Sequence, residues 1–302
     1  MAKTQLENIL NYSVANGDKY WAPTLDEWRK QWMPSTDYYN KYSIFAIQHR
    51  TNENRNYLIF NFSPGLPPSY TSRRIFGNSI WVEKTLEYEF ERTFSNGKKD
   101  GRGIGFTILE GYEEEPNYPA YTNDRENVIL EDGTTVEVYT KTMFYKYLPS
   151  KPKLAELGMS FDESSMAGDY DWPVNFPILR LEDMMLLYAE LLADEGNVVE
   201  AMYYVNKIRE RAGCDPETAS TSADALRLIK RERRVELAGE GIRWFDLVRY
   251  GEWQSAITRM FDNYNNPDGT DKSELKNGRY LYPIPLDQMN AVPGLYSQNE
   301  GY

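Results

Sequence analysis

The sequence predicts a mainly α-helical fold, in which antiparallel helix pairs support a loop-rich layer with small β elements. Three observations predict it. In FPILRLEDMMLLYAELLADEGN, Leu181, Met184, Met185, Tyr188 and Leu192 fall at i, i+3, i+4, i+7 and i+11, which sets them on one stripe of an α-helix. After Gly196-Asn197, where the chain can turn through the left-handed backbone of a helix end, Val198, Ala201, Met202, Val205 and Ile208 repeat the helical period until Gly213. Neither amphipathic helix buries its stripe alone, so the two pack antiparallel across their short turn. By contrast, SPGLPPSYTSRRIFGNSIW (63–81) holds three prolines and two glycines, a composition that reads as irregular surface loop.

Taken from its start, the chain opens with a short helix over 3–16, whose apolar face is Leu6, Ile9 and Leu10, and breaks at Gly17-Asp18. The segment 19–42 is dense in aromatics. Trp28 and Trp32, at i and i+4 on one face of a short helix, read as core. Tyr38 and Tyr39 follow a proline-led loop, and both core packing and ligand contact remain open for them. Residues 43–62 read as two strands around the polar turn TNENRN.

The loop 63–81 presents Tyr70, Arg73, Arg74, Asn78 and Trp81. A pyranose offers an apolar C–H face and a rim of hydroxyls. Flat aromatic rings cover the first at low entropic cost, while Arg and Asn side chains satisfy the second. Loops on a rigid scaffold are where such sites lie. The competing reading is that these aromatics plug the loop onto the core.

Further on, 84–96 forms a short helix or extended segment. Asp100 and Arg102 read as a structural ion pair. GFTIL and TTVEVYTKTMFYKY are strand-like, with Asp132-Gly133 as a hairpin-type turn. The acidic run Glu113–Glu115 reads as solvated loop, because consecutive carboxylates cannot flank a scissile bond; glycosidases need two, on different elements, about 5–10 Å apart. In the loop 149–175, Trp172 precedes a proline, which holds it extended, as core or lid. The third helix starts near Thr221, which has capping-box spacing to Asp224. Its ladder from Arg231 to Arg249 includes the like-charged Glu236–Glu240, unfavourable on a lone helix, so the charges are expected to pair with other elements, with Trp244, Phe245 and Leu247 buried around them. The segment 262–278 fails a calcium-loop template, which would make Tyr264 and Leu275 its first and last ligands. The Pro-rich tail is expected to strap back over the domain.

Composition excludes several functions. The 302-residue, 35.2 kDa chain carries a formal charge of −12 and a pI near 4.8, so a nucleic-acid backbone would be repelled. No apolar run approaches the roughly 18 residues of a membrane-spanning helix. A single cysteine, Cys214, excludes an internal disulfide and a cysteine zinc cluster, and reads as a small filler at a helix end. The single histidine, His49, reads as structural, and no G-x-S-x-G elbow supports nucleophile chemistry around it. No catalytic set, metal set or cofactor is expected.

Four segments in one order, FPILRLEDMMLLYAELL, VNKIRERAG, RRVELAGEGIRWFDLVRYG and YLYPIPLDQMNAVPGLYSQNEGY, resemble the C-terminal region of the SusD/RagB family, glycan-binding lipoproteins of Bacteroidota. Weaker likeness lies in KYSIFAIQHR and in KKDGRG, at the place of the family's D-x-R element. The terminal Gln298-Asn299-Glu300-Gly301-Tyr302 departs from the family's QNPGY by one proline. The resemblance implies a SusD-like fold with tetratricopeptide-type helix pairs, as one C-terminal domain over 1–302. Its parts would be a loop- and strand-rich 1–175, a helical core 176–251, and a loop and strap 252–302. It also implies non-catalytic capture of a glycan at the outer-membrane surface and delivery to a SusC-like TonB-dependent transporter. By region, it places ligand contacts in Tyr38, Tyr39, Tyr70, Arg73, Arg74, Asn78 and Trp81. Family members begin with a lipoprotein signal and an N-terminal helical half, so this chain is expected to be the C-terminal part of a longer, lipid-anchored protein. The alternatives are a helical-repeat scaffold for proteins or peptides and, less favoured by the residues, a glycoside-active enzyme.

Overall fold

A computed structural model describes residues 2–34, 41–54, 56, 66–73, 81–118, 124–130, 132–139, 142–263 and 281–299, except the side chains of 260–263. Its helices are α1 (Ala2–Ala15), α2 (Leu25–Lys30), α3 (Lys84–Glu91), α4 (Lys151–Glu156), α5 (Leu181–Asp194), α6 (Val198–Arg211), α7 (Ser222–Glu236), α8 (Arg243–Arg249), α9 (Trp253–Asn263) and α10 (Leu286–Ala291). The strands are β1 (Ser43–Ile47), β2 (Ile108–Leu109), β3 (Arg125–Ile129), β4 (Thr135–Tyr139), β5 (Met143–Phe144) and β6 (Phe176–Arg180). Among the described residues the fold is mainly α, with strands only in antiparallel pairs: β1–β6, β2–β5 and β3–β4.

Helix α5 is the centre, because α1, α6 and α7 all pack against it. Its predicted stripe is right but too narrow. Met185, Tyr188 and Leu192 are buried as expected, and so are Leu186, Ala189 and Ala193 on the flank. A helix contacted on several sides buries more than one stripe. Gly196, at φ 84°, ends α5, and the Asn197 N–H donates to the Leu192 carbonyl at 2.8 Å, satisfying a carbonyl left over at the helix end. Thr221 caps α7 as its spacing predicts: its side-chain oxygen accepts from the Asp224 N–H at 3.1 Å.

A second core is aromatic. Trp28, Trp32 and Trp172 are fully buried, with Trp28 edge-on to Trp32 at 6.1 Å and Trp32 edge-on to Tyr147 at 5.3 Å. Each ring removes about 150–250 Å² from water, about 4–6 kcal/mol of gross stabilisation at about 25 cal/mol/Å².

The charged ladder joins these cores. Arg102 is fully buried and pairs with Asp100 at 2.6 Å, Glu232 at 2.6 Å and Glu236 at 2.7 Å. Arg180 bridges Glu236 at 2.6 Å and Glu240 at 2.7 Å, which resolves the like-charged pair seen in the sequence. Arg211 reaches Glu236 at 2.7 Å, and the Trp28 indole N–H donates to the same carboxylate at 2.9 Å. Burial alone would raise the Glu236 pKa; the charges of Arg211, Arg180 and Arg102 outweigh it and hold the group well below its ordinary value. The Asp100–Arg102 pair is thus structural, tying the 100–102 turn to α7.

Four expectations need correction or restriction. Trp244 and Phe245 are exposed, at 38% and 67%, and only Leu247 of that trio is buried. Gly239 and Gly241, both at φ 78°, break the chain after α7, so the ladder's second half is a separate helix, α8, which buries Asp246 and Leu247 and leaves Trp244 and Phe245 on its outer face. Of the two strands expected in 43–62, β1 forms, and it pairs with β6, which leads directly into α5; residues 57–62 lie outside the described residues. In the tail, Leu281, Tyr282, Leu286, Val292 and Leu295 are exposed, so its described part does not bury the apolar residues of the expected strap.

Candidate functional site

An open cleft of about 630 Å³ is lined by Ser72, Arg73, Lys151, Phe161, Asp162, Glu163, Ser164 and Met166. One wall is the end of the proline-rich loop. Pro67 accepts from the N–H groups of Tyr70 (2.9 Å) and Thr71 (3.3 Å), closing a turn. The Tyr70 carbonyl then accepts from the Lys151 N–H at 2.8 Å, and Lys151 Nζ donates to the Pro68 carbonyl at 2.7 Å. Both bonds fix the loop to the start of α4.

The opposite wall is the segment 161–166. Asp162 accepts from the Ser164 N–H at 2.9 Å and its hydroxyl at 2.7 Å; these bonds hold its carboxyl below the ordinary range. Glu163 points inward and accepts from the Ser72 N–H at 2.6 Å and the Thr71 hydroxyl at 3.2 Å. Arg73 crosses between the walls, donating to the carbonyls of Met166 (2.8 Å) and Glu163. Asn52 braces the far side, donating to the Ser165 carbonyl at 3.0 Å and accepting from the Ala167 N–H at 2.6 Å. Phe161 stands in the cleft with its ring 5.6 Å from that of Trp172.

The arrangement offers what a neutral polyol needs. There are two hydroxyls (Ser72 and Ser164), an ionised acceptor (Asp162), a lysine ammonium and one aromatic flank, with cationic and anionic groups both present. Its neighbouring carboxylates, Asp162 and Glu163, face opposite ways, one to solvent and one into the core. They do not face each other across a substrate as an acid–base pair must.

Of the sequence-predicted residues, Arg73 lines this cleft as a clamp between its walls. Tyr70 sits just behind, half-buried, with its ring 6.1 Å from both Tyr112 and Tyr145. Burial, then the charges of Glu115 and Glu113, raise its phenol pKa. Trp81 is 38% exposed but lies outside the cleft lining, bridged by backbone to Met143. Tyr38, Tyr39, Arg74 and Asn78 lie outside the described residues. The sequence reading does not single out Lys151, Phe161, Asp162 and Ser164, because it treats 149–175 as a loop and weighs only Trp172 within it, as core or lid. The usable signal was Asp162-x-Ser164, an Asx-type turn beside an aromatic.

Cys214 is buried, and burial, reinforced by the charge of Asp100, pushes its thiol pKa up, which is the filler role the sequence indicates. No helix among the described residues is long and apolar enough to cross a membrane.

A sequence profile described as the SusD family matches residues 25–302. Among curated proteins, SusD-like protein P38 of Formosa agariphila is 32% identical over 143 residues, covering 43% of this chain and 28% of that protein. A SusD-like protein of Bacteroides ovatus is 28% identical over 142 residues, covering 46% of this chain and 24% of that one. Among solved structures, a SusD superfamily protein from Parabacteroides distasonis aligns with a TM-score of 0.62 at 20% identity, over 99% of this chain and 58% of that one. Surface glycan-binding protein A from Bacteroides thetaiotaomicron, in complex with laminarihexaose, aligns at 0.63 and 19% identity, over 100% of this chain and 60% of that one. At such identities the likeness is one of fold. The chain therefore spans about three-fifths of the length of those solved proteins, and its matched stretches cover about a quarter of the curated ones.

Proposed function

The chain belongs to the SusD family, and from that premise we propose that it captures an oligo- or polysaccharide at the outer-membrane surface without cleaving it. In the proposal the glycan then passes to a SusC-like TonB-dependent transporter. The observation that carries the reading is the cleft between the Ser72–Arg73 loop and the 161–166 segment. It is open and anchored on both walls by hydrogen bonds, with hydroxyls, an ionised acceptor and the Phe161 ring at its surface. A surface glycan-binding protein with the same fold has been solved with laminarihexaose, which supports a carbohydrate as the ligand class. Tyr70 stiffens the loop from behind, Arg73 holds the walls together, and Trp81 supplies a second exposed ring for a long ligand. The opposed directions of Asp162 and Glu163 favour binding over hydrolysis.

Affinity electrophoresis through gels containing a panel of soluble polysaccharides tests the reading, with circular dichroism confirming the fold. Retardation by one polysaccharide, weakened severalfold by Phe161→Ala or Tyr70→Ala, is the expected result. Retardation untouched by Phe161→Ala, Tyr70→Ala and Trp81→Ala would sink the site while keeping the function. Absence of retardation by the folded chain would sink the proposal, and release of reducing sugar would replace it with an enzyme.

A second reading, a protein- or peptide-binding scaffold, is favoured by one feature. On α6, Val199 and Tyr203 are 89% and 60% exposed, one turn apart on a helix surface. Peptide capture without any polysaccharide retardation would select it.

A further inference from the structure

Away from the cleft, α3 carries Glu87 and Glu91 four residues apart, hence on one face, and Glu110 directly follows β2. One carboxylate oxygen of each lies within 4.8 Å of the other two. Glu87 is fully buried and neither of its oxygens has a hydrogen-bond partner. The Tyr139 amide approaches it without reaching hydrogen-bond geometry. One oxygen of Glu110 is likewise buried and unpartnered. Glu91 differs: it accepts from Arg125 at 2.9 and 3.1 Å and from Lys99 at 3.2 Å.

A buried carboxylate without a donor is among the costlier arrangements in a protein interior. Glu87 is such a group, and with Glu91 and Glu110 converging on it two remedies remain, a shared proton or a cation. We propose that Glu87, Glu91 and Glu110 hold a calcium ion. The ligand set is all hard oxygen, which selects calcium or magnesium over thiolate- and imidazole-seeking metals. Oxygens within 4.8 Å of one another can all reach one calcium ion at about 2.4 Å, and the irregular, partly solvated setting suits its flexible coordination better than the strict octahedron of magnesium. Glu91 and Glu110 are only partly buried, so water reaches the ion to complete its six to eight ligands. Arg125 and Lys99 already offset much of the charge on Glu91, which sets the affinity in the weak range of about 10⁻⁴–10⁻³ M seen for extracellular calcium modules.

Isothermal titration of calcium chloride into the whole chain, with thermal unfolding at about 10 mM calcium, tests the site through linkage. One ion per chain and a raised Tm are expected. Glu87→Gln should weaken binding at least tenfold and abolish the Tm rise, while the calcium-free Tm stays the same or increases because repulsion is relieved. If Glu87→Gln fails to fold, Glu110→Gln, at a half-buried position, decides by the same readout. Three results overturn the proposal: no heat and no Tm shift with a folded chain, calcium binding unchanged in both variants, or magnesium binding as tightly as calcium.

Discussion

Glu236→Gln is the most incisive test of what holds this fold together. The Glu236 carboxylate is fully buried and accepts from three guanidinium groups, those of Arg102 (2.7 Å), Arg180 (2.6 Å) and Arg211 (2.7 Å), and from the Trp28 indole. Glutamine keeps the shape but removes one negative charge and offers a single acceptor oxygen. All three arginine side chains are buried to within 2% of completeness. Each keeps other carboxylates: Asp100 and Glu232 for Arg102, Glu182 and Glu240 for Arg180, and Glu182 for Arg211. Removing one partner of a buried charge network costs about 3–5 kcal/mol, several times the value of an exposed pair. Remaining partners place the expected loss toward the lower half of that range. Urea unfolding followed by circular dichroism gives the stability, and the summed fluorescence of the seven tryptophans, Trp28 among them, follows the same transition. Lys3→Ala, which removes an exposed ion pair to Glu195, serves as a control and should leave the urea midpoint unmoved. A loss below about 1 kcal/mol for Glu236→Gln would refute the argument, since it would mean the buried arginines do not need this anion.

The same group sets an acid limit: its folded pKa lies below its ordinary value of 4.5. Its contribution is therefore complete above about pH 4.5 and lost as pH falls toward the folded pKa; the wild-type urea midpoint should drop with acidification below that point, and more steeply than in Glu236→Gln. At Gly103 an added Cβ would sit 2.7 Å from the Phe90 ring and its Cβ, so Gly103→Ala should cost about 1–3 kcal/mol by overpacking, read by thermal unfolding. Thr221→Ala, which removes the cap on the Asp224 N–H, should cost about 1 kcal/mol in the same assay. Ellman's reagent should leave Cys214 unmodified in the folded chain and label it on addition of denaturant; rapid labelling of the native chain would contradict its burial.

What the sequence determined by itself was periodic or local. The α5–α6 pair was legible because Leu181 to Ile208 repeat at helical spacing around Gly196, and such a turn needs only two residues to specify. Thr221 and the Asp132-Gly133 turn were legible for the same reason, as was the resemblance carried by four ordered segments. Tertiary structure alone decided the rest. That β1 pairs with β6, about 130 residues away, depends on side-chain fit and not on any local signal. Trp244 and Phe245 look like core in a sequence but face outward, because α8 starts afresh after Gly239 and Gly241 and turns Asp246 and Leu247 inward instead, with Asp246 held by Arg233 of α7. The cleft joins residues 72–73 to 151 and 161–166, and the carboxylate cluster joins α3 to Glu110. Neither is written at any one place in the chain, since charges and hydroxyls acquire a role only when folding brings them within hydrogen-bonding or coordinating distance and takes away their water.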